Sequence, residues 1–298
     1  MGKLIKAMAL NDQVRIYICD SSDIVAQAQR RHALWPTASA ALGRVLSMSA
    51  MLGSNLKSSK EKITVTINGG GPIGTIMADA DYLGNVRGFV ANPEVHYEYN
   101  DTKKLAVGIA VGTNGYLEVK KDLGLKEDFG GKVALQTGEI GDDFAYYFAL
   151  SEQTPSIVSL GVLVDKDGSI LASGGLLIQL LPNASEEVID QVETISKQLK
   201  PMSEHLHRGD SLTTILQTYF KDVKVLEARD IAFKCNCSKD KMAAAIATIE
   251  DKEIEAMINE DHGCEITCNF CNEHYQFSEI ELQTILEHKH ENKKCGVA

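Results

Sequence analysis

The distribution of cysteine residues is the feature that most limits how this chain can fold. Of its seven cysteines, Cys19 stands alone and the other six lie between positions 235 and 295. Four of the six form two short pairs, Cys235-x-Cys237 and Cys268-x-x-Cys271, which are about 30 residues apart. In a reducing compartment, clustered cysteines are more often metal ligands or catalytic groups than permanent disulfides. The pattern therefore indicates a local cysteine site.

The two cysteine pairs have the spacing of a structural zinc site. Four thiolates complete the tetrahedral coordination of Zn²⁺, and pairs from separated segments let one ion tie those segments together. We therefore predict one zinc ion per chain, held by Cys235, Cys237, Cys268 and Cys271. The metal would stabilise a unit too small to fold on its apolar core alone. Ordinary core cysteines and a purely structural zinc ribbon are the alternatives, and the ribbon would use the same ligands.

Other potential ligands lie close to the two pairs. Cys264 precedes Cys268 by four positions, and a filled tetrahedral site makes it a spare thiol. Cys295 lies near the end of the sequence and is interpreted as a bystander. His262 and His274 are near enough to suggest a mixed site, but four cysteines make them unnecessary. The pattern assigns no role to Cys19.

Residues 1–181 are predicted to form an α+β domain with a mainly antiparallel sheet and packed helices. Two early strands flank the turn at Asn11, and a helix rich in small residues follows Pro36. Short apolar runs separated by Gly, Asn or Asp turns predict further strands. These runs are KITVTI at 62–67, TIMADA at 75–80, VRGFV at 86–90, YLEVKK at 116–121, FAYYFAL at 144–150 and SLGVLV at 159–164.

The pattern changes after Pro182. Apolar residues recur at helical spacing from Ser185 to Leu199, and Ser211 is placed to cap another helix, so 182–230 is predicted to be a helical linker. Residues 231–298 are predicted to form a small zinc-binding domain. Within it, Ser238 precedes a helix, residues 264–277 form a hairpin, and Ser278 with Glu281 forms a capping box for the last helix.

Composition and charge exclude several classes of protein. Hydrophobic residues make up 44% and charged residues 24%, which is typical of a folded globular chain. No apolar stretch reaches the roughly 20 residues of a membrane helix, and no secretory signal is recognised, so we expect a cytoplasmic protein without membrane contact. The formal charge of −11 would repel a phosphate backbone, so nucleic acid is not expected as a partner.

No motif predicts an enzyme. Residues 69–74 match G-x-G-x-x-G, but a dinucleotide site needs a helix after the glycines, whereas TIMADA alternates like a strand. We therefore interpret the glycines as a hairpin connection. Neither a nucleophile motif nor a paired acid and base is present.

The cysteine pattern and several longer segments resemble one known family, the 33 kDa chaperonins. A C-x-C pair followed after about 30 residues by C-x-x-C is that family's hallmark. Similar segments are RRHALWPTASAALGR at 30–44, GGGPIGTIMADA at 69–80, AVGTNGYLEVKKDLG at 110–124, SEQTPSIVSLGVLV at 151–164 and GGLLIQLLP at 174–182. The resemblance extends over essentially the whole chain.

The resemblance implies a redox-regulated, ATP-independent holdase that is inactive when reduced and bound to zinc. Oxidation would form two disulfides, Cys235 with Cys237 and Cys268 with Cys271, and would remove all four ligands. The small domain would then unfold and release the helical linker. The implied partners are unfolded client proteins, and a homodimer is compatible with the resemblance.

Two rival functions share the same cysteines. A zinc-ribbon nucleic-acid module is disfavoured because residues 235–298 contain six lysines and thirteen acidic residues, a net charge of −7. A thiol-disulfide oxidoreductase would use Cys268 and Cys271 at a helix N-terminus, which lowers a thiol pKa, whereas we predict a hairpin there.

Overall fold

A computed structural model of the chain describes residues 1–125, 129–182 and 184–294. The chain divides into two compact units, Met1–Lys234 and Cys235–Ala298. The division into three parts at 181 and 230 stays a prediction. No described helix has both the length and the apolar character needed to cross a membrane.

The first unit contains a ten-stranded sheet in the order β7-β6-β3-β4-β5-β10-β1-β2-β9-β8. All pairs are antiparallel except β5 and β10, which run parallel over two residues. The strands are β1 Gly2–Ala9, β2 Val14–Asp20, β3 Lys62–Asn68, β4 Ile76–Asp81, β5 Asn85–Val90, β6 Tyr116–Asp122, β7 Phe129–Ala134, β8 Ser156–Val164, β9 Ile170–Leu180 and β10 Lys224–Phe233. The predicted α+β class with a mainly antiparallel sheet is confirmed.

The glycine-rich stretch at 69–74 connects two antiparallel strands. It joins β3 to β4, whose residues pair from Lys62 with Asp81 to Ile67 with Ile76. The chain continues after the glycines as a strand, so the interpretation as a hairpin connection is confirmed.

Seven helices accompany the sheet in the described part of this unit. They are α1 Ser22–His32, α2 Pro36–Gly53, α3 Val107–Val111, α4 Gly141–Leu150, α5 Glu186–Gln198, α6 Met202–His207 and α7 Leu212–Tyr219. All residues of α2 except Pro36 and Arg44 are buried. A methyl group added at Gly43 would lie 2.8 Å from Val162 and 2.9 Å from Val25, so the small residues of α2 allow the close packing that the composition indicates.

The run FAYYFAL at 144–150, predicted as a strand, is the helix α4, so that prediction is wrong. Phe144, Tyr147 and Phe148 have the spacing of one helix face and are buried together. Buried Asp143 fixes the start of the helix, since its carboxylate accepts hydrogen bonds from three main-chain N–H groups, those of Gln136, Thr137 and Ile140. These hydrogen bonds stabilise the start of a helix, although the alternation of aromatic residues suggests a strand.

The helices of residues 186–219 cover one face of the sheet. They bury Val188, Val192, Met202, Leu212, Ile215 and Leu216 against a cluster that includes Ile16 and Ile18 of β2 and Leu176 and Ile178 of β9. The Ser211 side chain accepts a hydrogen bond from the N–H of Thr214 at 3.1 Å, as predicted for a capping residue. A layer of amphipathic helices thus shields apolar sheet surface from water.

The second unit is a small α+β unit. It contains α8 Lys239–Ile246, α9 Asp251–Asn259, β11 Gly263–Thr267, β12 His274–Ser278 and α10 Glu279–Lys294. Among the described residues, its buried apolar cluster consists of Ile246, Ile254, Ile258, Phe277 and Leu282. The predicted hairpin is confirmed by the pairing of β11 with β12. The capping box is also present, with the Ser278 N–H 2.9 Å from a Glu281 carboxylate oxygen.

Candidate metal centre

The second unit brings its four paired cysteines together. Cys235 and Cys237 precede α8, while Cys268 and Cys271 lie in the turn between β11 and β12. Their four sulfur atoms all lie within 4.8 Å of one another. Two short distances link the segments, 3.8 Å from Cys235 Sγ to Cys268 Sγ and 3.4 Å from Cys237 Sγ to Cys271 Sγ. Such an arrangement could hold one metal ion, and four sulfur donors suit a thiophilic ion with tetrahedral geometry.

Main-chain hydrogen bonds shape the turn that carries the second pair. The Cys268 carbonyl accepts hydrogen bonds from the N–H groups of Cys271, at 3.2 Å, and Asn272, at 2.7 Å. The Cys268 N–H donates to the Glu273 carbonyl at 2.9 Å and closes the turn. Asn272 has a φ of 57°, a left-handed conformation that asparagine tolerates better than most residues. The turn therefore directs both sulfurs toward the first pair.

Burial makes the second pair poor thiolates in the absence of a cation. Cys268 is 6% exposed and Cys271 is 3% exposed. Loss of hydration raises the pKa of both thiols above the ordinary value, because a buried thiolate is disfavoured. A bound metal cation would reverse this preference, and its binding would release protons.

Tyr275 contacts the site, although no motif in the sequence predicts this contact. Its hydroxyl donates a hydrogen bond to Cys237 Sγ at 3.1 Å, and this bond raises the pKa of Tyr275. Donors of this kind orient metal ligands and tune their charge. The cysteine spacing gives no signal for Tyr275, since only the pairing of β11 and β12 determines where its side chain lies.

The remaining cysteines and the nearby histidines lie outside this cluster. Cys264 lies on β11 and packs against the apolar core of the unit. His262 pairs with Glu279 and His274 with Glu265, each at 2.9 Å. Cys19 is fully buried in the first unit, where burial raises its pKa to about 12. Cys295 lies outside the described residues.

Comparison with known proteins decides the family. A family model described as Hsp33 protein matches residues 2–278. The chain belongs to the Hsp33 family. It is 49% identical over 288 residues to the 33 kDa chaperonin of Staphylococcus carnosus, with 95% of this chain and 97% of that protein covered. The 33 kDa chaperonin of Bacillus subtilis is 48% identical over 284 residues, with coverage of 95% and 97%.

A solved Hsp33 structure is similar over nearly the whole chain. The crystal structure of the 33 kDa chaperonin, or heat shock protein 33 homolog, from Thermotoga maritima aligns with a TM-score of 0.89 at 36% identity. The alignment covers 97% of this chain and 99% of that one. Family membership supports a chaperone role, and the relatives are named chaperonins rather than enzymes.

Proposed function

We propose that this chain is a redox-regulated, ATP-independent holdase that protects unfolding or oxidatively damaged proteins from aggregation in the cytoplasm. The reduced form, with zinc held by Cys235, Cys237, Cys268 and Cys271, is the inactive state. The oxidised form, in which those cysteines are disulfides, is the active state. The gathering of four thiols within 4.8 Å on two segments of a small unit is the observation that carries this proposal.

The second unit depends on the link between its two cysteine segments. In the part of this unit that the structure describes, five buried residues make a small apolar core, and units of this size often need a metal or disulfides to remain folded. When bound, zinc supplies charge neutralisation for four thiolates and a cross-link between the segments. Loss of the thiolates therefore removes a large part of the unit's folding free energy.

Peroxide supplies the oxidising equivalents in this proposal. A thiolate attacks one peroxide oxygen, the O–O bond breaks, and the sulfur becomes a sulfenic acid while hydroxide leaves. The neighbouring thiol then displaces hydroxide from that sulfur, which forms a disulfide and, after proton transfer, water. Two disulfides consume two molecules of peroxide, and four cysteine sulfurs together lose four electrons.

Disulfides within each pair fit a switch that opens the unit. A Cys235–Cys237 or a Cys268–Cys271 disulfide removes ligands without joining the two segments. A disulfide from Cys235 to Cys268 would instead keep the segments joined, as the metal does. Disulfides within each pair are also the pairing that the family resemblance implies.

Apolar surface for clients is available beneath the helical layer. The helices of 186–219 bury apolar side chains against the strands β2 and β9, so their detachment would expose both surfaces. Large exposed apolar patches bind unfolded chains. We propose that unfolding of the second unit destabilises the 182–230 linker, which exposes these patches.

The two rival functions have less support. The net charge of −7 in residues 235–298 opposes binding to a polyanion. The second cysteine pair lies in a hairpin turn, and burial raises the thiol pKa values, whereas a disulfide oxidoreductase lowers the pKa of its nucleophile at a helix N-terminus.

The proposal is tested by measuring metal content, free thiols and client aggregation in the same samples before and after peroxide treatment. Oxidised protein should release one zinc ion, lose four thiols and suppress light scattering by a heat-unfolded client without ATP. A variant with Cys268 and Cys271 changed to Ser should show part of this activity in reductant. Equal protection by reduced and oxidised protein, or a strict need for ATP, would contradict the proposal.

A further inference from the structure

Strand β8 forms one end of the large sheet and has an open edge. It pairs only with β9 among the described strands. The Leu180 N–H donates to the Pro155 carbonyl at 3.1 Å, and main-chain groups alternate in direction along a strand. The N–H and C=O groups of Leu160 and Val162 therefore point away from β9. Within the described residues, no hydrogen bond reaches those groups.

A cavity of about 620 Å³ lies along this edge. Leu160 and Val162 of β8 line it together with Ala40 of α2, Leu105, and Pro201, which precedes α6. The side chains of β8 are half-buried rather than buried along almost its whole length. The edge of β8 thus borders a partly apolar cleft that is large enough for several residues of an extended chain.

The rim of the cleft is positively charged. Lys103, Lys104 and Lys166 line it with exposed side chains, and none makes an ion pair with a described residue. Arg44 is less exposed and forms an ion pair with Glu139 at 2.7 Å. Apart from the paired Arg44, three lysines line the cleft against two carboxylates, Glu98 and Asp165, in a chain whose net charge is −11. The cleft therefore attracts negative charge where most of the surface would repel it.

We propose that this β8 cleft holds an extended segment of an unfolded client as an added strand, and prefers apolar segments that carry acidic residues. This proposal rests on the holdase function proposed above, because the occupant of the cleft is an unfolded client. Open main-chain donors and acceptors favour a peptide over a fatty acid, because a hydrocarbon chain leaves those groups unpaired. The lysine rim adds the preference for acidic side chains.

Helix α6 is the element through which oxidation is proposed to affect the cleft. It packs closely on β8, since a methyl group added at Gly161 would lie 2.8 Å from Ser203 Oγ. The helix belongs to the 182–230 linker that is proposed to detach on oxidation. Its departure would uncover more of β8, so the oxidised protein should bind an extended peptide more tightly than the reduced protein.

Fluorescence anisotropy with dye-labelled peptides tests the cleft in the full chain. The probe is a ten-residue peptide of alternating Val and Thr with Glu at both ends. One comparison peptide carries Lys at the ends, and another has alternate main-chain nitrogens methylated. The Glu peptide should bind about tenfold more tightly than the Lys peptide, and the methylated peptide should lose at least that much affinity.

Two independent variants address the open edge and the rim. Val162→Pro removes an N–H that points away from β9, so the ladder to β9 keeps its hydrogen bonds. Val162→Ala is the matched control, because it shortens the side chain and keeps the N–H. Reversing the rim with K103E, K104E and K166E is compared with K60E, a change at an exposed lysine outside the cleft.

We expect Val162→Pro to bind the peptide about tenfold more weakly than Val162→Ala, and the rim reversal to bind it about tenfold more weakly than K60E. Equal binding of the Glu, Lys and methylated peptides would overturn the proposal, as would unchanged affinity in folded Val162→Pro and rim-reversed proteins. If the protein self-associates, Val162→Pro abolishes this association and wild type binds no peptide, the cleft holds a second copy of the chain. That result would overturn the proposal. If both variants protect clients as well as wild type does, the cleft is not the client-binding site. The proposed holdase function would be unaffected by that result.

Discussion

A disulfide between the two cysteine segments should stabilise the second unit rather than open it. Cys235 and Cys268 are 33 positions apart in the sequence, and their sulfurs lie 3.8 Å apart. In the chain-entropy treatment, a cross-link over a loop of this length stabilises the folded state by about 4 kcal/mol. A disulfide between Cys235 and Cys237 closes a loop of three residues and stabilises the folded state by less than half of that amount. The difference of about 2 kcal/mol corresponds to roughly a 30-fold change in the folded ratio.

The first variant isolates the link between segments. It carries Cys237→Ser, Cys264→Ser, Cys271→Ser and Cys295→Ser, so that Cys235 and Cys268 are the only cysteines left in residues 235–298. After oxidation in the presence of a chelator, its second unit should gain about 4 kcal/mol of stability relative to the reduced variant. Amide hydrogen exchange across 235–294 measures the gain, and light scattering should show no client protection.

The second variant isolates a pair within one segment. It carries Cys268→Ser and Cys271→Ser, again with Cys264→Ser and Cys295→Ser, and leaves Cys235 and Cys237 to form a disulfide. Oxidation should leave exchange across 235–294 fast, and this variant should protect clients. Identical exchange in the two oxidised variants would refute the topological reasoning, and so would client protection by the variant whose segments are linked.

Three further predictions concern the cap of α4, the hydroxyl of Tyr275 and the bound metal. Asp143→Asn should lower the free energy of unfolding of the first unit by about 2–4 kcal/mol in urea, because three N–H groups lose a carboxylate acceptor, while Asp142→Asn should have little effect. Tyr275→Phe should weaken metal binding about tenfold in a chelator competition, since Cys237 loses a donor; unchanged affinity would rule out this role. Chelation of the reduced protein should remove exchange protection from 235–294, lower it in the 182–230 linker and leave it in 1–181, whereas unchanged protection across 235–294 would contradict dependence on the metal.

Local chemistry in the sequence was sufficient to predict the cysteine cluster and much of the secondary structure. The two cysteine pairs are each within one turn of chain, so their spacing alone indicates a shared site, and the structure brings the four sulfurs together. Capping depends on neighbouring residues as well, which explains why the Ser278 and Glu281 box is found where the sequence places it. Strands such as β3 are recognisable because alternate side chains are buried.

Contacts between distant residues decided what the sequence pattern left ambiguous. The aromatic run at 144–150 alternates well enough for a strand, but Asp143 binds main-chain groups of the preceding loop and starts a helix. Strand β9 contains Gly174 and Gly175, which weaken any local strand signal. A methyl group at Gly174 would lie 2.4 Å from the Cys19 carbonyl, so the close approach of β2 requires glycine there.

Some features of the functional sites are determined by the local sequence, and others by tertiary contacts. The sequence by itself determined which four cysteines gather, because ligand chemistry and spacing are properties of short segments. Only the tertiary structure decided that Tyr275 donates to Cys237 and that the open edge of β8 faces a lysine-rimmed cleft. The residues of that cleft come from positions 36 to 203, and no local pattern encodes their meeting. Sheet order and helix packing bring them together, since these determine which strand edge remains without a partner.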